Sequence, residues 1–257
     1  MITRKAWAAV AAGCTTVWEP AGETPLSCIA QAVLTKEAGF PQGSINIVLT
    51  LDRVAEVGEA FCKSLQVQKI SFTGSTRVGK RLAEQCGQTL NKLSLELGST
   101  SPLIVFEDAD LDRAVEILML AKLRNSGRTC VTPNRMQNVE SGEVILGGSL
   151  LPELGGNFIQ PTLMTNMKQE MITTREEVFA PVLGPYQFGD ETEAITLANS
   201  SNVGLGSFVI TESIIRSYMV GINVGSLSAC ESGYRREGGE VGINEYMAVK
   251  SILVGIS

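Results

Sequence analysis

Two side chains in this 257-residue sequence are of the types that nucleophilic chemistry needs. Cys130 stands in LRNSGRTCVTPNR, among glycine, arginine and threonine, just after an apolar run of helical type. Glu96 stands in LSLELGS, directly after an apolar alternation of strand type. A thiolate can attack a carbonyl carbon, and a carboxylate beside it can take a proton from water. Taken singly, each residue also has a plain structural explanation. Free cysteines commonly act as small inert hydrophobes, and a glutamate can be a salt-bridged surface group. A third stretch, FTGSTRVGK, puts Gly74, Ser75 and Gly79 at a strand-to-helix turn. Small residues there admit a diphosphate, and a helix N-terminus favours its charge. The full GxGxxG pattern is absent, so this turn alone is as well explained by structure as by ligand binding.

Composition narrows the chemistry. The chain has no histidine, which removes Ser-His-Asp and Cys-His mechanisms and His-ligated metals. Acid-base work falls to carboxylate, lysine, tyrosine or water. The six cysteines are scattered without a CxxC pair, so neither a zinc site nor a disulfide framework is suggested, and a reducing compartment is expected. The net charge of −6 argues against nucleic acid and anionic membrane as partners. No apolar run approaches the roughly 20 residues of a membrane span. The start, MITRKAWAAVAAGCTTV, has the basic-then-apolar order of a leader, but it is broken by AGCTT and runs on into WEPAGETPLS, which weighs against targeting.

The elements that must position these residues alternate in period. INIVLT (45–50) reads as a strand, and 52–65 as a helix through Val54, Val57, Phe61 and Leu65. KISFTG (69–74) reads as a strand, and 75–90 as a helix that Ser75 can cap. KLSLELG (92–98) and SPLIVFE (101–107) are strands, and 108–123 is the clearest helix, with acidic residues in its first turn. GEVILGG reads as a strand, LPELGGNFIQP as a loop into a strand, and ETEAITLANSS as a short helix. The tail INEYMAVKSILVGIS ends in an apolar run that would be a sticky edge without a partner. Strands alternating with helices predict an α/β fold with a largely parallel sheet.

In order, the chain reads FTGSTRVGK, LSLELG, SPLIVFEDADLDRAV, RNSGRTC, REEVFAPV, LANSSNVGL and REGGEVGINEYMAVK. That series resembles the aldehyde dehydrogenase superfamily, and most closely its succinate-semialdehyde dehydrogenase branch, over nearly the whole chain. The resemblance implies a partial Rossmann-like cofactor-binding domain at 1–98, a shortened α/β catalytic domain at 99–235 and an oligomerisation-type strand at 236–257. It implies that Cys130 forms a thiohemiacetal with an aldehyde, which loses hydride to a nicotinamide, and that Glu96 activates water to hydrolyse the thioester. Glu177 and Phe179 match residues that hold the nicotinamide ribose and ring, Gly74 and Ser75 the diphosphate turn, and Leu97 a further cofactor contact. Arg4 and Arg124 match arginines that receive the substrate's distal carboxylate through a two-donor fork. The implied partners are a small aldehyde and a second copy of the chain bound through the C-terminal strand, and the implied location is cytoplasmic or mitochondrial.

The chain also departs from the family pattern. It is about half the usual length and begins just after the motif whose asparagine completes the oxyanion hole. Losing one such donor costs on the order of 100 to 1,000-fold in turnover. Further gaps fall near 136–141 and before ESGYRREGG. Glu19 and Gly22 replace the lysine and acid that hold the adenine-side ribose or its phosphate, so NAD is expected and NADP disfavoured. Ser99 takes a glycine position in LELGG, and Thr132 takes the place of a second cysteine. Three readings follow: an active dehydrogenase, a weakened or repurposed remnant, or a thiol-reactive protein that uses Cys130 without hydride transfer.

Overall fold

The computed structural model of the chain describes residues 1–137, 143–167, 176–212, 233–234, 243–244 and 246–247. The chain divides into two compact units, Met1–Glu96 with the residues from Tyr234 onward, and Leu97–Gly233. The expected oligomerisation strand lies almost wholly outside the described residues, as does Cys230.

The first unit begins with α1 (Ile2–Ala11), β1 (Thr16–Trp18), α2 (Leu26–Glu37) and β2 (Ile45–Ile47). The leader-like start is therefore α1, and its Ala6 packs with Trp18 and Cys28 under Ile2, Ile45 and Ile47. Trp7 meets Trp18 edge to face at 6.3 Å, a favoured aromatic geometry. β1 and β2 run parallel, as the crossover through α2 requires.

α3 (Val54–Lys63), β3 (Lys69–Thr73), α4 (Thr76–Cys86) and β4 (Lys92–Glu96) follow. β3 and β4 are parallel, with Thr73 opposite Glu96. The expected apolar stripe of α3 is only partly used. Val54 and Leu65 are exposed, and the residue that reaches the core is Cys62. Ser75 caps α4 by accepting from the Val78 amide at 3.4 Å. Gly79 is not part of the turn but lies buried inside α4, its amide bonded to the Ser75 carbonyl.

The second unit holds β5 (Ser101–Val105), α5 (Leu111–Leu123), a 3₁₀ turn at Arg124–Gly127 and β6 (Pro133–Gln137). β5 pairs in parallel with β6 on one side and with β10 (Phe208–Ile210) on the other. α6 (Glu191–Ala198) covers this sheet. Ala194 packs with Ile104 and Phe106, and Phe188 meets Phe106 edge to face at 5.8 Å. α5 starts three residues later than the acidic run suggested, because Asp110 is its cap and accepts from Arg113 N at 3.1 Å. Ala114, Leu118 and Lys122 form its buried face, four residues apart, as one side of a helix requires. Burial of Lys122 pushes its ammonium down to about 8. A small second sheet joins β7 (Glu143–Leu146), antiparallel, to β8 (Thr162–Thr165), which runs parallel to β9 (Val182–Leu183). The fold is α/β with largely parallel pairing.

Candidate functional site

In the first unit, the site residues gather at the C-terminal edge of β3 and β4. Both strands end there, and the Gly74 amide donates to the Glu96 carbonyl at 3.1 Å, which holds the turn against the neighbouring strand end. At Gly74 a Cβ would lie 2.4 Å from the Phe72 ring, so a larger residue would require that ring to move. The Glu96 carboxyl is half-buried, and burial raises its proton affinity, while Lys5 and then Arg4 pull it back. The first turn of α1 thus brings two cations near the carboxylate. Arg4 was expected on this site from the sequence and Lys5 was not. The clue to Lys5 was its place beside Arg4 in MITRK.

The positions expected on the adenine side lie further along the same unit. Pro20, Gly22, Pro25, Leu49, Thr50 and Leu51 line a cavity of about 200 Å³. Gly22 keeps it open, because a Cβ there would lie 2.5 Å from Leu51 Cδ1. Glu19, adjacent to Pro20 in the chain, has one buried carboxylate oxygen, Oε1, with no hydrogen-bond partner. Burial raises the Glu19 carboxyl.

In the second unit, Cys130 lies on a β-turn closed by Thr132 N donating to Thr129 O at 2.9 Å. It is half-exposed and comes seven residues after the end of α5, so its own segment offers it no helix N-terminus. The lead-in is strained. Asn125 and Ser126 have φ of 52° and 56°, and Gly127 follows at 74°. Left-handed backbone at non-glycine residues costs on the order of 1–3 kcal/mol each and persists only where the surroundings enforce it. The backbone that follows them is tightly seated: a Cβ on Gly127 would sit 2.2 Å from the Ala180 carbonyl oxygen. The turn that leads to Cys130 is therefore pressed onto FAPV, the stretch that begins at Phe179.

The same stretch is held from the other side. Ser99 N donates to Glu177 Oε1 at 3.0 Å. Burial raises the Glu177 carboxyl and the Ser99 amide opposes that rise. Ser99 is fully buried with its hydroxyl 3.4 Å from that of Ser101, so serine at the glycine position is built into the packing. Leu97 is buried, leaving its backbone rather than its side chain for any ligand contact. Phe179 is 43% exposed, and Arg124 is exposed at the start of the strained turn. Thr132 is buried, and its hydroxyl has no partner. The second unit thus joins Ser99 to Glu177 and seats the turn before Cys130 against Ala180, next to Phe179 in the chain, while the first joins Gly74 to Glu96 and sets Arg4 near that carboxylate. The role of Gly127 was not anticipated; the glycine within RNSGRTC was the available sign.

Comparison with known proteins matches the aldehyde dehydrogenase family over residues 1–141 and 136–252. A succinate-semialdehyde dehydrogenase [NADP(+)] of Saccharomyces cerevisiae is 36% identical over 323 residues, covering 99% of this chain and 65% of that protein. The human mitochondrial succinate-semialdehyde dehydrogenase is 35% identical over 99% of this chain and 61% of its own length. Among solved structures, an NADP-dependent enzyme of E. coli superposes with a TM-score of 0.91 at 33% identity, covering 99% of this chain and 66% of that one. A succinate-semialdehyde dehydrogenase from Burkholderia pseudomallei gives 0.86 at 32% identity over 96% and 64%. The chain therefore spans 61–66% of the length of these relatives. The aligned region of the yeast protein is longer than this whole chain, so the relatives carry internal segments without a counterpart here. The two family matches meet at 136–141, where the sequence pattern breaks. On this evidence the chain belongs to the aldehyde dehydrogenase family.

Proposed function

We propose that the chain oxidises a small carboxylate-bearing aldehyde, of the succinate-semialdehyde kind, with NAD as acceptor. Cys130 Sγ adds to the aldehyde carbon to give a thiohemiacetal, and after oxidation Glu96 takes a proton from the water that hydrolyses the thioester. Bound nicotinamide would supply the acceptor for the hydride. Arg4 and Arg124 would bind the distal carboxylate. The observation that carries this reading is the influence of Lys5 and Arg4 on Glu96 in the first unit. A carboxyl raised by burial is a stronger base than a solvated one, and the adjacent guanidinium suits an anionic substrate tail.

The residues present fit a dinucleotide. The β3–α4 turn offers backbone amides at a capped helix N-terminus, and the apolar cavity from Pro20 to Leu51 suits an aromatic base. The unpartnered Glu19 oxygen would accept from ribose hydroxyls and would repel a 2′-phosphate, which favours NAD over NADP. The yeast relative's name specifies NADP(+), so the reading of NAD for this chain rests on Glu19. Glu177 and Phe179 would meet the nicotinamide end, with the Leu97 backbone beside them. The proposed location is the cytoplasm, with self-association through the C-terminal strand.

The test is NAD reduction by the purified protein with succinate semialdehyde, expected to be lost in Cys130→Ala. An unchanged rate in that variant would remove Cys130 as nucleophile. A second reading, a remnant without turnover, is favoured by the internal segments that the relatives have and this chain lacks. It predicts no heat of NAD binding at millimolar cofactor in isothermal titration, and a clear isotherm would eliminate it.

A further inference from the structure

Behind the FTGST turn, the α3–α4 pair carries two thiols that the proposed chemistry does not use. Cys62 on α3 and Cys86 in the last turn of α4 are 0% and 1% exposed. Cys62 Sγ donates to the Leu82 carbonyl of α4 at 4.0 Å. Cys86 follows Leu82 by four residues, one helical turn along the same face. The two thiols are close enough that each shifts the other's proton affinity. Two further contacts fix the approach. Thr89 Oγ1 donates to the Cys62 carbonyl at 2.6 Å, tying the end of α3 to the segment after α4. Gly58, four residues before Cys62, faces Leu82, where an added Cβ would meet Leu82 Cδ2 at an ordinary contact distance of 3.7 Å.

We propose that Cys62 and Cys86 are a latent disulfide site, a staple between α3 and α4 that a small-molecule disulfide can close. Two S–H bonds break and one S–S bond forms. The two protons and two electrons pass to the oxidant, whose own disulfide becomes two thiols. With Cys62 Sγ 4.0 Å from the Leu82 carbonyl, one helical turn before Cys86 on the facing helix, a local approach of α3 and α4 would bring the sulfurs to the bond length of about 2 Å. The packed helices resist the reaction, because attack requires a thiolate and burial disfavours one. Burial raises Cys62, and it pushes Cys86 up to about 12. The site therefore stays reduced in a reducing compartment and closes when α3 opens, or during folding in the presence of oxidant. Once closed, it anchors α3 to the helix whose N-terminus is the proposed diphosphate turn.

The full chain, unfolded in urea with reductant, is refolded into a mixture of oxidised and reduced glutathione. Remaining thiols are blocked, and the protein is cut with trypsin for mass spectrometry. The expected dominant linked species joins VAEVGEAFCK (54–63) to LAEQCGQTLNK (82–92), two hydrogens lighter than the sum of the free peptides. The expected rise in thermal midpoint is about 5–10 °C, reversed by reductant. Cys62→Ala should lose both the linked species and the rise. Free, blocked Cys62 and Cys86 in the refolded chain would overturn the proposal. Links spread evenly over the other cysteines would overturn it as well. The readout involves neither Cys130 nor cofactor, so it stands or falls independently of the proposed dehydrogenase.

Discussion

Cys130 sits half-exposed on a turn that follows three residues of left-handed backbone, whereas Cys62 and Cys86 lie sealed between two regular helices. The composition of the two neighbourhoods does not explain the contrast, since each mixes apolar, small and charged residues. Backbone geometry explains it. A helix turns its small apolar side chains inward by periodicity, and a thiol placed there becomes core. A strained turn wedged on a neighbouring loop has no inward face of its own and leaves the sulfur accessible. Strain of this kind is a reason to suspect function at an observed outlier.

The largest expected effect tests that contrast directly. At neutral pH, iodoacetamide should modify Cys130 far faster than Cys86, because Cys86 is 1% exposed and its thiol is pushed up to about 12, which leaves it almost no thiolate. Peptide mapping at successive times gives both rates in one sample. Similar rates would show that exposure and burial do not separate the two thiol environments.

Paired glycine substitutions probe the backbone half of the contrast. Gly127→Ala must place a methyl group 2.2 Å from the Ala180 oxygen at a φ of 74°. It should destabilise the chain by about 2–4 kcal/mol in urea unfolding. Gly58→Ala lies within α3, where the nearest atom is at ordinary contact distance, 3.7 Å. It should stabilise by about 0.5–1 kcal/mol. Opposite signs from the same chemical change would show that the turn before Cys130 is over-determined and the helix is not. A mild loss at Gly127 would remove the strain argument.

The carboxylates sharpen the comparison through pH. Burial raises Glu96 above its ordinary 4.5, so the unfolded chain releases this proton before the folded one does. Folding is penalised as pH rises from 4.5 through the folded value, and the penalty is complete above that value. Glu96→Gln should therefore raise the thermal midpoint at pH 7, with the gain fading as pH falls below about 4.5. The same substitution should abolish turnover. Glu177→Gln should follow the same pH direction while its amide oxygen still accepts from Ser99 N. A stabilising effect that is flat with pH would argue that the gain is packing and not ionisation.

The elements around β3, β4 and α5 were legible because their periods are clean and their caps are standard, with Ser75 before α4 and an aspartate before α5. α1 escaped because ITRKAWAAVA has the composition of a leader, and only its packing on Trp18 and Cys28 marks it as core. α2 escaped because Pro25 stands at its cap with no side-chain acceptor, and its first residue, Leu26, is exposed. The expected site residues stand in the sequence as a pattern of types, but the contacts that hold those positions were not legible. Lys5 near Glu96, the Ser99–Glu177 bond and the Gly127–Ala180 contact join residues far apart in the chain, and local periodicity carries no information about such pairs.

The helix caps give the smallest expected effect and the finest test of how the first unit divides its labour. Ser75 Oγ accepts from Val78 N at 3.4 Å, whereas the charged Asp110 accepts from Arg113 N at 3.1 Å. A longer, uncharged cap bond is the weaker one. Ser75→Ala should therefore cost about 0.5 kcal/mol in urea unfolding and Asp110→Ala about 1 kcal/mol. The Ser75 hydroxyl hydrogen remains free to donate to a diphosphate while its oxygen caps the helix. Ser75→Ala should accordingly raise the dissociation constant for NAD several-fold by isothermal titration, while Asp110→Ala leaves it unchanged. If the two variants lost stability in the predicted order but bound NAD alike, Ser75 would be a cap alone, and the case for the diphosphate turn would rest on backbone amides.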